Sequence, residues 1–148
     1  MPEDDDKSED PTVNQMSTIH RVWGVMTWYP SVDDVIYANF TVLALSDDKH
    51  PHKLLRSLES IQAVIDRLVQ TERLGINYQA AQLIKDLVNL HAFAGGNHRT
   101  AFVVVCLFLK QNGTQMRIER FSDAYDFIRD VETKSIEQIQ EWIEHGHA

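Results

Sequence analysis

The residues best suited to chemistry in this chain form one run, His91-Ala92-Phe93-Ala94-Gly95-Gly96-Asn97-His98-Arg99-Thr100-Ala101. An uncharged apolar stretch, residues 101–109, overlaps its end. This is the layout of a phosphate-binding loop at a helix N-terminus with a base beside it. Gly95 and Gly96 can take positive φ and admit a ligand close to the backbone. The N–H groups of Gly96, Asn97 and His98 can then form an anion nest, backed by the positive end of the following helix. Arg99, in the first turn, can grip a phosphate with its forked guanidinium. His98 is a weaker, pH-dependent cation. Asn97 can orient a phosphate or a metal-bound water. His91 can accept a proton from an incoming hydroxyl near neutral pH. Phe93 plugs the loop into the core. The expected ligand is a nucleotide or another phosphorylated molecule.

Each residue also has an ordinary reading. A Gly-Gly pair before a helix is often only a turn, and a histidine at a helix end is often a C-cap. The combination H-x-F-x-x-G-N-x-R-T-A between two helices is what separates this run from those readings.

Helices must position the loop. Ser31 with Asp34 resembles a capping box, and Val35, Ile36, Asn39, Phe40 and Leu43 then share one face. Residues 47–52 read as a polar turn containing Pro51. A second helix is expected through Leu54, Leu58, Ile61, Val64, Ile65 and Leu68. Residues 71–77, with Gly75, connect it to a third over 78–90, which delivers His91 at its end. The helix over about 99–111 is apolar all round, so other helices should enclose it. Asn112-Gly113 terminates it. A fifth helix is expected over 122–131, carrying Ala124, Tyr125 and Ile128. A sixth, capped by Ser135 with Gln138, places Ile136, Ile139, Trp142 and Ile143 on one face. The expectation is an all-α bundle around one buried central helix. Residues 19–28 read as a short strand or an extended β arm.

Composition sets limits. The chain has 148 residues, 43% of them hydrophobic, enough for one core. Residues 1–15, with Glu3-Asp4-Asp5-Asp6, read as a disordered acidic tail, and residues 16–148 as a single domain. A net charge of -8 argues against direct nucleic-acid binding. The single cysteine, Cys106, reads as a buried core thiol and excludes a disulfide framework. The apolar run 101–109 is too short to span a bilayer. No basic stretch followed by an apolar one marks a secretory leader, so a cytoplasmic setting without membrane attachment is expected.

The loop resembles the signature of the Fic/Doc superfamily, H-x-F-x-[DE]-G-N-[GK]-R. Its ending, Asn97-His98-Arg99-Thr100-Ala101, resembles the Doc (death on curing) branch, where N-K-R-T-A is usual. Leu107-Phe108-Leu109-Lys110-Gln111-Asn112-Gly113 resembles that branch's helix ending. Tyr29-Pro30-Ser31-Val32-Asp33-Asp34-Val35-Ile36 and Leu58-Glu59-Ser60 resemble its first two helices. The resemblance implies the compact all-α Fic core and transfer of part of a nucleotide to a protein hydroxyl. Fic members usually transfer AMP; Doc toxins pass the γ-phosphate to a translation factor and are held by an antitoxin. By this resemblance His91 is the catalytic base, and Gly95, Gly96, Asn97, His98 and Arg99 hold the phosphates of ATP or another NTP. The second arginine of the AMP-transferring motif falls on Phe102, which favours Doc-like chemistry.

Two positions depart from the pattern. The acidic residue that would hold Mg2+ falls on Gly95, and the Doc lysine falls on His98. Glu72 is a candidate replacement ligand. Two readings follow: a protein-modifying transferase acting as a toxin, or a catalytically impaired relative that binds a nucleotide or a protein. Thr133 to Glu137 matches an inhibitory-helix motif, [ST]-x-x-x-E-[GN], except that Gln138 fails its last position. A plain amphipathic helix is the better reading there.

Overall fold

The computed structural model describes residues 20–22, 25–46, 52–118 and 121–146. The acidic segment 1–15 and most of the turn 47–52 lie outside them. Strands β1 (His20–Val22) and β2 (Val25–Thr27) pair antiparallel, with His20 opposite Thr27 and Val22 opposite Val25. This hairpin is the arm expected near residues 19–28. The rest is helical: α1 (Val32–Ala44), α2 (Leu58–Gln70), α3 (Ile76–Leu90), α4 (Asn97–Gln111), α5 (Phe121–Arg129) and α6 (Ile136–His145). Short 3-10 turns at Glu72–Leu74 and Val131–Thr133 join α2 to α3 and α5 to α6. The fold is the all-α bundle the sequence led one to expect. No helix of the described residues is long and apolar enough to cross a membrane.

Serines start three of these helices. Ser31 and Ser135 each form a reciprocal capping box, with Asp34 and Gln138 respectively. Ser57 caps α2 by accepting the Ser60 N–H. Helix α2 therefore begins at Leu58 rather than near Leu54, because Ser57 is extended and Leu54 instead pairs with Phe93 in an antiparallel bridge.

Helix α3, rather than the expected α4, meets the most elements: it packs on α2, α4, α6 and both 3-10 turns, while α4 packs on α3, α1 and α5. Thr100, Ala101, Val104, Val105, Phe108 and Leu109 are buried on α4. Phe108, wholly buried, lies 6.0 Å from the Tyr29 ring; Phe108→Ala would cost about 3–5 kcal/mol. The helix is not enclosed on every side, however. Val103 is 40% exposed and Phe102 only partly buried, so one flank of the first two turns opens outward.

Two asparagines fasten the ends of α4. Asn97 accepts the Phe93 N–H at 3.0 Å and donates to the Phe93 carbonyl at 2.7 Å. Asn112 does the same to Trp28, both bonds at 2.9 Å. Each replaces a strand-like pair of backbone bonds with one amide, so the connection is held without another element.

Candidate active site

Helix α3 ends at His91, which takes the left-handed conformation (φ 51, ψ 54). It is the one non-glycine residue with positive φ among those described. Such a backbone costs on the order of 1–3 kcal/mol and must be held by its surroundings. The His91 Nδ1–H donates to the Val88 carbonyl at 3.1 Å. A carbonyl can only accept, so the neutral ring carries its proton on Nδ1 and leaves the Nε2 lone pair available. The residue is exposed. Arg56 Nε donates to the Leu90 carbonyl at 3.2 Å, adding a cation at the same helix end.

The loop between α3 and α4 is braced from one side by residues 53–56. The Ala94 N–H donates to the Lys53 carbonyl at 2.9 Å, and the Ala92 carbonyl accepts from the Leu55 N–H at 2.6 Å. Phe93 is buried, as expected of the residue that anchors the loop.

Gly96 is the N-cap of α4, with φ 73 and ψ 18. Glycine is required here for two reasons. The backbone is left-handed, and a Cβ would stand 3.3 Å from Leu43 and 3.4 Å from Val42 on α1. Gly95 differs from the expectation: its φ is not positive, so the backbone does not demand glycine there. The Gly95 carbonyl instead accepts a hydrogen bond from Asn39 at 2.9 Å.

The first intrahelical bond of α4 runs from the Thr100 N–H to the Gly96 carbonyl at 2.8 Å. The N–H groups of Asn97 and His98 precede it, and the N-cap, being glycine, has no side chain to cap them. Above them lies a cavity of about 570 Å3 lined by Gly96, Asn97, His98 and Arg99. Val42, Leu45, Phe102, Tyr125 and Ile128 supply its apolar wall. That size and lining are typical of sites for small molecules. The open flank of α4 forms one side of this cavity, which is why that helix is apolar yet not fully enclosed.

His98, Arg99 and Arg129 line the cavity together with one carboxylate, Glu132. Arg129 is itself ion-paired with Asp126 at 3.6 Å and Asp130 at 3.2 Å. Hydrogen bonding to Asp130 holds the Arg129 guanidinium even more firmly charged than usual. Glu132 lies 3.3 Å from His98 Nε2. Its 3-10 turn is held on α3 by Lys85, whose ammonium donates to the carbonyls of Glu132 and Lys134.

The structure brings Gly96, Asn97, His98 and Arg99 to one cavity, with His91 at the head of the same loop but off the cavity lining. The Asn97 side chain bonds the Phe93 backbone through both its polar atoms, so its amide shapes the loop. These two bonds leave over one amide hydrogen and one oxygen lone pair. Glu72 cannot replace the missing carboxylate. It accepts from the Tyr29 hydroxyl at 2.8 Å, before the start of α3, whereas His91 follows its end, roughly 22 Å away along a 15-residue helix. A divalent cation needs oxygen ligands. Position 95 offers no carboxylate and Glu72 is remote, so among the described residues Glu132, paired with His98, is the carboxylate that lines the cavity.

Sequence reasoning missed Asn39, His52, Glu132 and the α5 residues of the cavity wall. Asn39 carried a signal: it is a polar residue on the inward face of α1, and it is fully buried. Phe40, expected on that same face, is 53% exposed and stacks instead on the His52 ring, with centroids 4.1 Å apart.

A family model described as Fic/DOC family matches residues 29–109, more than half of the chain. The match spans α1 to α4 and contains the whole loop. The chain belongs to the Fic/DOC family. Members of this family typically transfer groups to proteins, which places the chain, at the general level, among protein-modifying transferases. No curated protein is detectably similar to it in sequence.

Proposed function

We propose that this chain is a Doc-like transferase that passes a phosphoryl group from ATP or another nucleoside triphosphate to a protein hydroxyl. The observation that carries this reading is the uncapped N-terminus of α4, open to a cavity lined by Arg99, His98 and Arg129. The transferred phosphate sits at the N–H groups of residues 96–98, where fixed dipoles stabilise charge developing in transfer. Arg99 holds its oxygens, and the apolar wall takes the remainder of the nucleotide. Nε2 of His91 accepts the proton as the target's hydroxyl oxygen bonds to phosphorus. The bond from phosphorus to the bridging oxygen breaks, and the nucleoside diphosphate leaves with the electron pair. Phe102, in place of the second arginine, favours transfer of the γ-phosphate over transfer of AMP.

In this reading the protein is the cytoplasmic toxin of a toxin–antitoxin pair. Its target is a component of the translation apparatus, and a separate antitoxin protein silences it. Neither nucleic acid nor a membrane is a partner. Gly95 supports a second reading, in which the chain binds a nucleotide or a protein without turnover. Nucleotide binding that is indifferent to Mg2+ would favour that second reading.

Incubation with γ-labelled or α-labelled ATP, Mg2+ and a translation-competent lysate, beside a His91→Ala control, separates these cases. Label passing from the γ position to a lysate protein only when His91 is present is the expected result. Label from the α position would mean AMP transfer. ATP binding without any transfer would establish the binding module.

A further inference from the structure

The donor that opens the anion nest is aimed by residues far from it in sequence. Asn39, fully buried on α1, donates both hydrogens of its amide, to the Gly95 carbonyl at 2.9 Å and to the Thr100 hydroxyl at 3.0 Å. The peptide between Gly95 and Gly96 is trans. In a trans peptide the C=O and the N–H point in opposite directions. With the Gly95 oxygen drawn inward to Asn39, the Gly96 N–H is turned away from the core.

The orientation of the Asn39 amide is itself fixed. Its oxygen lies 2.8 Å from His52 Nδ1. Because the Gly95 carbonyl can only accept, the amide nitrogen must face it and the amide oxygen must face His52, which donates. The His52 ring is held by the stacked Phe40 and by Phe93, whose centroid is 5.5 Å away. A flipped amide would set two acceptors against each other at Gly95 and two donors at His52.

We infer that Asn39, oriented by His52, is a positioning residue that sets the direction of the Gly96 N–H in the anion-binding loop. This rests on the phosphate-binding reading of that loop, which it deepens by naming what preorganises the loop. Neither residue touches the ligand. Both act through the peptide at Gly95–Gly96.

Two substitutions at one position separate the hydrogen bond from the packing. His52→Asn keeps a donor near the position of Nδ1 and loses the ring. His52→Phe keeps the ring between Phe40 and Phe93 and loses the donor. ATP affinity of the full-length chain should stay within about threefold of the wild type for His52→Asn and fall roughly tenfold for His52→Phe. Asn39→Asp, nearly isosteric but unable to donate to Gly95, should fall by at least as much. The opposite order of the two His52 variants would show that His52 only fills space, and would overturn the inference. A readout without ligand goes with these: the amide NMR resonance of Gly96 should move in Asn39→Asp and His52→Phe while those of α6 stay. An unmoved Gly96 resonance in folded variants overturns the inference whatever ATP does. A wild type that binds no ATP, with the Gly96 resonance moving as expected, overturns the nucleotide reading instead.

Discussion

Two helices among the described residues start with a glycine and no side-chain cap, and they mean different things. Gly75 opens α3 with φ 95 and ψ 159; Gly96 opens α4 with φ 73 and ψ 18. At Gly75 an added Cβ would meet nothing within 4 Å, and the residue is exposed, so water can satisfy the free N–H groups. At Gly96 the same atom would stand 3.3 Å from Leu43 on α1, and the helix start lines a cavity with Arg99 and His98. A bare helix start is therefore not a site by itself. It becomes one where packing fixes the backbone and a walled space with cations stands over it.

The largest effect that tests this contrast is at the chemistry. His91→Ala should lower phosphoryl transfer by about 100- to 10,000-fold, as for loss of a general base, with ATP affinity little changed. Arg73→Ala, at the α3 start, should leave transfer intact. Equal losses in a labelled-ATP assay would erase the difference between the two ends. Next is the glycine beside Gly96. Since Gly95 has no positive φ, Gly95→Asp should fold normally, and it restores a carboxylate to the loop. Mg2+-dependent transfer should rise at least roughly tenfold. A titration with no added Mg2+ response would mean that a carboxylate at position 95 does not hold the metal.

Gly96→Ala and Gly75→Ala compare the two starts directly. Each forces alanine into a conformation costing about 1–3 kcal/mol, so both should melt earlier. Only Gly96→Ala should weaken ATP binding, by roughly tenfold or more, because its Cβ pushes the loop off Val42 and Leu43. Calorimetric affinities that fall alike in both variants would break the contrast. The smallest effect is at a helix start that closes on its own side chain. Ser135→Ala removes a capping box and should cost about 1 kcal/mol. The Tm should drop by about 2–4 °C with ATP affinity unchanged. A loss of affinity there would mean that the site is coupled to α6.

Tyr29 and Cys106 show how little a perturbed group says alone. Burial raises the Tyr29 phenol well above its usual range and pushes the Cys106 thiol up to about 11, yet neither lines the cavity. Desolvation of a core group shifts a pKa as readily as a catalytic environment does. Tyr29 lies in the core, and Cys106, expected to be buried there, is only partly buried against it; desolvation accounts for both shifts.

Much of the fold was legible in the chain. Apolar residues at spacings of three and four marked α2, α3 and α6, and the serine caps at positions 31 and 135 marked two helix starts, because helical order is local. The motif from His91 to Ala101 was legible for the same reason: its residues lie on one loop. What the sequence determined by itself was therefore this local order and the inventory of the loop. The tertiary structure alone decided which glycine is left-handed, that Asn97 closes on Phe93, that Glu132 rather than Glu72 stands at the cavity, and that His52 reaches Gly95 through Asn39. Asn39 and Gly95 are 56 residues apart. Contacts of that separation are set by how α1, α4 and α5 pack, and the periodicity of each helix taken separately does not record which faces meet.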